Sequence, residues 1–252
     1  MVHFVGAGPG AVDLITVRGL SYLQKADVIL YAGSLVNPDL LLEAKEGCEI
    51  YDTSRMTLEE VLAVMEEAEQ KKLMTVRLHT GDPSLYGAIR EQMDALEEKG
   101  IAYDLTPGVS AFSGAAASLN LEYTLPGISQ TLILTRVEGR TPMPEGESLS
   151  SLASHKSSMA LFLSSSLLEK VKEELLAGGF DADTPACIVY KATWPEEKVL
   201  PCTIENLPEV AKKAGITKTA LILVGEALTQ SRYERSKLYD PSFSTMYRKG
   251  KQ

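Results

Sequence analysis

Five short stretches of this chain hold residues that could bind or convert a ligand. The first is Gly6-Ala7-Gly8-Pro9-Gly10, directly after the apolar run Val2–Val5. Glycines at the end of a strand let the backbone turn sharply and let a ligand approach it closely. The second is Gly81-Asp82-Pro83 with Tyr86-Gly87. Asp82 could accept hydrogen bonds from ribose hydroxyls or a cationic amino group, or could cap a helix starting at Ser84. Pro107-Gly108-Val109-Ser110-Ala111 opens a small-residue stretch, suited to tight packing or to a ligand lying against its start. Arg136-Val137-Glu138-Gly139-Arg140 holds two guanidinium groups around one acid. Such a pair could grip carboxylates by bidentate hydrogen bonds, or simply be a solvated charge run. The last stretch, Tyr190-Lys191-Ala192-Thr193-Trp194-Pro195, carries the only tryptophan, as a cleft wall or as ordinary packing.

Other chemistries are argued against. Gly6-x-Gly8-x-x-Ala11 satisfies the permissive dinucleotide fingerprint. That site, however, needs helix amides at the glycines. Pro9 has no amide hydrogen, Asp13 reads as a later N-cap, and the only ribose-binding acid, Asp27, opens the second strand instead of closing it. The three cysteines and three histidines are scattered without metal-ligand spacing, so no protein-bound metal is expected. No nucleophile–base arrangement or phosphate-binding P-loop is present. A net charge of −9 excludes a general basic surface for nucleic acid. No run reaches membrane-spanning length, so a cytoplasmic protein without membrane contact is expected. What remains is chemistry that works by positioning two reactants.

The elements that must hold these stretches alternate. Strands are expected at Val2–Val5, 27–31, 49–51, Met74–Leu78 and Ile101–Leu105. Helices are expected at Leu14–Gln24, about 38–44, about 58–71, Ser84–Lys99 and Val109–Leu119. Thr57 and Glu60 spell a capping box. This rhythm predicts a mostly parallel sheet covered by helices, with ligand loops outside the carboxyl ends of its strands. Gly6–Gly10, His79–Pro83 and Thr106–Ser110 should therefore converge. Tyr123–Gly127 reads as a link to a second α/β set. Its strands are expected at 130–137, 159–163, 186–191, 198–202 and 219–224, the third and fourth forming a hairpin. Its helices are expected at 167–177 and 207–214. The predicted division is 1–122, 123–240 and a basic tail, 241–252. Basic residues begin earlier, with Arg232, Arg235 and Lys237.

The loops also match a family. Val5-Gly6-Ala7-Gly8-Pro9-Gly10 with Asp13-Leu14-Ile15-Thr16, then Gly81-Asp82-Pro83-x-x-Tyr86-Gly87, then Pro107-Gly108-Val109-Ser110, resemble the tetrapyrrole methyltransferases of corrin and sirohaem synthesis. Gln130–Pro142, Tyr190–Pro195 and the tail Leu238–Ser244 most resemble the precorrin-4 C11-methyltransferases of that family. The family usually has Thr-Ser after Pro-Gly-Val, where this chain has Ser110-Ala111.

The resemblance implies two α/β domains, a mostly parallel first sheet, a mixed second one, a ligand cleft between them, and a homodimer. It implies S-adenosylmethionine as methyl donor, touched by Pro9, Asp82, Tyr86, Ser110, Ala111, Leu163, Ala192 and Ala220. It also implies an anionic tetrapyrrole substrate, with or without cobalt, methylated at C11. Gly8, Gly10, Arg136, Glu138, Arg140 and Lys191 are the candidate substrate contacts, with Arg18 behind them. No general base is identified. Methylation of another tetrapyrrole position or of uroporphyrinogen III, a nicotinamide oxidoreductase, and a non-catalytic tetrapyrrole binder are the competing readings.

Overall fold

The computed structural model describes residues 1–231 and 233–251; Arg232 and Gln252 lie outside the described residues. Clustered by contacts, the chain forms two units, one of Met1–Ala115 with Lys191–Glu197, the other of Ala116–Tyr190 with Lys198–Gln252.

The first unit is built on strands β1 (Val2–Gly6), β2 (Val28–Tyr31), β3 (Glu49–Asp52), β4 (Thr75–His79) and β5 (Tyr103–Thr106). They lie in the order β3-β2-β4-β1-β5, every pair parallel. All residues of β1 and β4 are buried, as expected of central strands covered on both faces. On one face Phe4, Val28 and Leu30 pack with Val61 and Met65 of α2 (Leu58–Gln70) and Leu96 of α3 (Arg90–Glu98). On the other, Val5, Ile29, Val76 and Leu78 pack with Leu23 of α1 (Val17–Lys25). The Thr57–Glu60 capping box forms as the sequence predicts. Helix α4 (Ala111–Leu119) follows the third loop.

The second unit has β6 (Leu132–Arg136), β7 (Ser158–Phe162), β8 (Pro185–Tyr190), β9 (Lys198–Thr203) and β10 (Ala220–Val224), in the order β6-β7-β10-β8-β9. Only β6 and β7 are parallel; the other pairs are antiparallel, giving the expected mixed sheet and the β8–β9 hairpin. Met159, Leu161, Ile188 and Ile222 form one core with α5 (Leu149–Ala153), α6 (Leu168–Ala177) and α7 (Leu207–Ala214).

Two expectations for the first unit need correction. Asp13 is not an N-cap. It lies in a short 3-10 turn, Val12–Leu14, and Thr16 caps α1 by accepting from Gly19 N at 3.1 Å. The helix expected from Ser84 starts only at Arg90. Tyr86 (φ 56°) and Ala88 (φ 49°) both take left-handed backbone conformations, which stop a right-handed helix from running through them. In the second unit, α5 is a helix that hydrophobic periodicity does not reveal, because it is only five residues long. Ser148 caps it, accepting from Ser151 N at 3.1 Å.

Candidate functional site

In the first unit, β4, β1 and β5 are adjacent and parallel, so their carboxyl-end loops leave side by side. The expected convergence follows and is tight. Ala7 N donates to His79 O (2.7 Å), Gly8 N to Gly81 O (3.3 Å), and Gly81 N to Gly8 O (2.8 Å). A Cβ on Gly6 would stand 2.6 Å from Gly108 Cα and 2.7 Å from Gly81 O, so only glycine permits this approach.

Asp82 stitches the second loop to the third. Its Oδ2 accepts from Gly108 N at 2.8 Å, and its Oδ1 accepts from Ser84 N at 2.9 Å and from the Ser84 hydroxyl. Burial alone would raise its pKa, but these hydrogen bonds outweigh burial and hold the carboxyl below its ordinary value. Asp82 is therefore ionised at neutral pH, with both oxygens engaged. Ser110 is buried, and its carbonyl accepts from Ser113 N and Gly114 N, launching α4 with the half-buried Ala111. Tyr86 is exposed beside Gly87 on the left-handed stretch.

The hairpin tip Lys191–Glu197 belongs to this same unit. Trp194 Nε1 donates to Pro9 O (2.9 Å), and Thr193 Oγ1 accepts from Ala11 N (2.9 Å). A Cβ on Gly10 would lie 2.5 Å from Trp194 Nε1 and 2.8 Å from Ala192 O. The space at Gly10 is thus filled by the indole, and Asn37 Nδ2 holds the Gly10 carbonyl at 2.8 Å. Ala192 is buried, and Lys191 Nζ sits 4.8 Å over the Trp194 ring. Arg18 is exposed on α1.

His79 closes β4 just before this loop cluster. It is 5% exposed, and its Nε2 is the one buried side-chain nitrogen or oxygen without a hydrogen-bond partner among the described residues. Burial, reinforced by the Arg77 cation, lowers its pKa to about 3. It is a neutral imidazole at physiological pH. The sequence reading passed over it.

In the second unit, Arg136 and Leu163 stand at the carboxyl ends of β6 and β7, and Ala220 opens the antiparallel β10. Ala220 pairs with Tyr190 of β8, and the β7–β10 pairing starts two residues on, at Ile222 opposite Leu161. Leu163 is left-handed (φ 50°) and 64% exposed, an unfavourable state for a leucine on both counts. Beside it an open cavity of about 640 Å³ is lined by Arg136, Glu138, Arg140, Leu163 and Lys170.

The cations there are not equivalent. Arg136 secures its own loop, donating from Nη1 to Thr141 O (3.2 Å) and from Nη2 to Pro142 O (2.8 Å). Lys170, which the sequence reading did not single out, donates to Glu138 O at 2.9 Å and lies 3.5 Å from Glu138 Oε2. Glu138 Oε1 accepts from Met143 N at 3.3 Å. Arg140 is exposed and forms no hydrogen bond or ion pair among the described residues. The arrangement is a braced loop presenting one uncommitted guanidinium.

Among the described residues, no cluster of His, Cys, Asp or Glu is placed to hold a metal ion. The first loop cluster offers backbone amides as donors and carbonyls and the Asp82 carboxylate as acceptors; the second offers guanidinium and ammonium donors. Together they suit a polar organic ligand and a polycarboxylate.

Known proteins share this architecture. The profile of the Tetrapyrrole (Corrin/Porphyrin) Methylases matches residues 1–208. The chain is 52% identical over 248 residues to a cobalt-precorrin-4 C(11)-methyltransferase of Methanocaldococcus jannaschii, covering 98% of this chain and 96% of that one. A crystal structure of a cobalt precorrin-4 methyltransferase, a cobalamin biosynthetic enzyme, superposes with a TM-score of 0.88 at 50% identity. It covers 90% of this chain and 95% of its own. The uroporphyrin-III C-methyltransferase of Thermus thermophilus, in complex with S-adenosylhomocysteine, superposes with a TM-score of 0.74 at 25% identity, covering 90% and 92%. The chain belongs to the tetrapyrrole (corrin/porphyrin) methylase family.

Proposed function

We propose that this protein transfers the methyl group of S-adenosylmethionine to C11 of (cobalt-)precorrin-4, giving (cobalt-)precorrin-5 in cobalamin biosynthesis. The observation that carries the proposal is 52% identity over nearly the whole chain to a cobalt-precorrin-4 C(11)-methyltransferase. The helix geometry speaks against nicotinamide binding, since α1 starts at Val17, well past the glycines.

The residues fit the donor. Gly6 and Gly108 cross without side chains, leaving backbone close to the strand ends. Pro9, Asp82, Tyr86, Ser110, Ala111 and Ala192 are the proposed donor residues in the first unit, with Leu163 and Ala220 in the second. Asp82 acts through Gly108, whose amide it holds. Leu163 is held in its strained, exposed conformation at a strand end, as ligand-contact residues often are.

The donor, when bound, supplies a methyl group already activated on a sulfonium sulfur. The protein's task is alignment with a nucleophilic ring carbon. The acceptor carries several carboxylates, and the chain's charge of −9 opposes it in the mean, so local cations must receive it. Arg140 is the foremost contact, with Arg136, Lys191 and the backbone at Gly8 and Gly10. Glu138 serves by holding Lys170 and Met143. Any cobalt travels in the substrate.

We further propose a cytoplasmic homodimer, divided functionally at about residues 122 and 240. No helix among the described residues is long and apolar enough to cross a membrane.

The test is a labelled-methyl assay with precorrin-4, cobalt-precorrin-4 and uroporphyrinogen III offered separately. Transfer to a precorrin-4 form is expected; label in uroporphyrinogen III alone refutes the proposal. Asp82→Ala should weaken S-adenosylhomocysteine binding by calorimetry, because the Gly108 loop loses the carboxylate that holds its amide. Unchanged affinity would reduce Asp82 to a loop brace.

A further inference from the structure

Beyond Thr229 the chain leaves the part of the fold that carries the candidate site. Strand β10 ends at Val224, next to Met159 at the amino end of β7, whereas Arg136 and Leu163 occupy the opposite end of the sheet. A five-residue strand separates the two ends by about 13–17 Å. The segment lies past the residues matched by the family profile, 1–208, but within the span shared with the cobalt-precorrin-4 C(11)-methyltransferase relative. Its last hydrogen bond to the body among the described residues is Glu234 N to Pro126 O at 2.9 Å.

From there the chain folds back on itself. Arg248 Nη2 donates to Leu238 O (3.0 Å) and Asp240 O (2.6 Å), and Arg235 Nη2 donates to Tyr239 O (2.7 Å). Thr245 N donates to Arg248 O and Lys251 N to Pro241 O, each at 2.7 Å. The backbone is therefore well satisfied, yet no described residue from 233 to 251 is buried. Its apolar groups all point outward, with Met246 93% and Tyr247 95% exposed beside Leu238 and Tyr239.

A segment of this size cannot shield apolar side chains by itself. Tyr, Met and Arg are also the residues enriched where protein interfaces are buried. Charge indicates the kind of surface that fits. Arg235, Lys237, Arg248, Lys249 and Lys251 face a single acid, Asp240. Lys237, Lys249 and Lys251 form no ion pair among the described residues, so the segment's positive charge is not neutralised within it. The whole chain carries −9, so the body without this cationic segment is more acidic still.

We propose that residues 235–251 form an arm that docks on the acidic body of a second copy of the chain, with Met246 and Tyr247 as apolar anchors and the lysines as its charged rim. Each copy offers one arm and one acidic acceptor, which is the self-complementarity a two-fold dimer requires. The inference rests on the homodimer proposed above and assigns the element that builds it.

Two measurements test it on the full chain. The first is sedimentation equilibrium of the wild type, of Lys249→Glu/Lys251→Glu and of Met246→Ser/Tyr247→Ser, with far-UV circular dichroism as the folding control. Both double variants should weaken the dimer at least tenfold, and rising salt should weaken the wild type as well. The second places p-benzoylphenylalanine at Met246 in an equimolar mixture of heavy-isotope and light chains. Heavy–light cross-links from position 246 to acidic peptides within residues 1–230 are expected. Dimers of unchanged affinity in both variants would refute the arm and leave the dimer standing. A monomeric wild type would overturn both. Cross-links confined to one chain, or binding of the arm to phosphatidylserine vesicles without self-association, would also overturn the proposal.

Discussion

Replacing Gly10 by alanine tests whether this glycine serves the protein's own tryptophan. The new methyl would lie 2.5 Å from Trp194 Nε1 and 2.8 Å from Ala192 O, where ordinary contacts begin at 3.4 Å. The indole has to move by about 1 Å, which breaks its 2.9 Å hydrogen bond to Pro9 O. Overpacking of this kind costs about 1–3 kcal/mol, and the lost hydrogen bond about 0.5–1.5 kcal/mol. Gly10 is not in the left-handed region, so alanine recovers about 0.4–1 kcal/mol by restricting the unfolded chain. The net cost is about 0.5–4 kcal/mol, or about 1–16 °C in melting temperature for a chain of this size. Trp194 is the only tryptophan, so its fluorescence reports the displacement directly, as a red shift in emission. In a Trp194→Ala background the same substitution should lose at least half of its cost, leaving only the crowding against Ala192 O. Strictly additive costs in that double-mutant cycle, with unshifted emission from the single variant, would refute the reasoning.

Three further outcomes follow from the geometry. Arg140→Ala should raise KM for the tetrapyrrole about 10- to 100-fold, the worth of a charge-assisted hydrogen bond, while the Kd for S-adenosylhomocysteine stays within about twofold; equal losses on both would remove Arg140 from carboxylate recognition. His79 has a native-state pKa lowered to about 3 against an ordinary value near 6.5, so the unfolded chain binds the extra proton first. Its contribution to stability is intact above pH 6.5 and is lost as pH falls towards 3. His79→Phe should therefore flatten the acid limb of a plot of melting temperature against pH, and an unchanged limb would show that other groups control it. Leu163→Gly should relieve left-handed strain and expose no new cavity, raising the melting temperature by a few degrees, worth about 1 kcal/mol, while weakening S-adenosylhomocysteine binding; a lower melting temperature would mean that the side chain supports the fold.

Strand positions were legible in the sequence because the short β-branched and apolar stretches around Val2–Val5 and Met74–Leu78, broken only by His3, Thr75 and Arg77, are closed by glycine or His-Thr-Gly. The three converging loops were legible for the same reason, since parallel order fixes where carboxyl ends emerge. The false helix start at Ser84 has a specific cause. Leu85, Tyr86 and Ile89 have helical spacing, and nothing in their identity reveals that Tyr86 and Ala88 are left-handed. The Asp13 cap failed because Thr16, three residues later, offers an equally good hydroxyl and is followed by the true helix. Asp82 was read as either a ligand contact or a cap; neither reading showed that it also braces Gly108, 26 residues away. Long-range partners were invisible altogether. Nothing local ties Gly10 to Trp194, or Glu138 to Lys170.

The order of strands in the first sheet has a consequence for biosynthesis on the ribosome. Strand β1 is flanked by β4 and β5, with Val2 beside Thr75 and Tyr103. It emerges first but has no partner until residue 79 has been made, and no second one until residue 106. At about 5–20 residues per second, a bacterial or slower rate, that wait lasts about 5–20 s. Throughout it the apolar run ending in Gly6–Gly10 is an unpaired strand edge. Its final contact, from Trp194 to Pro9, waits longer still, until the hairpin tip has been synthesised. The stretch made first is among the last to be completed. Nascent-chain arrest between residues 79 and 106 should leave it accessible to proteases and holdase chaperones.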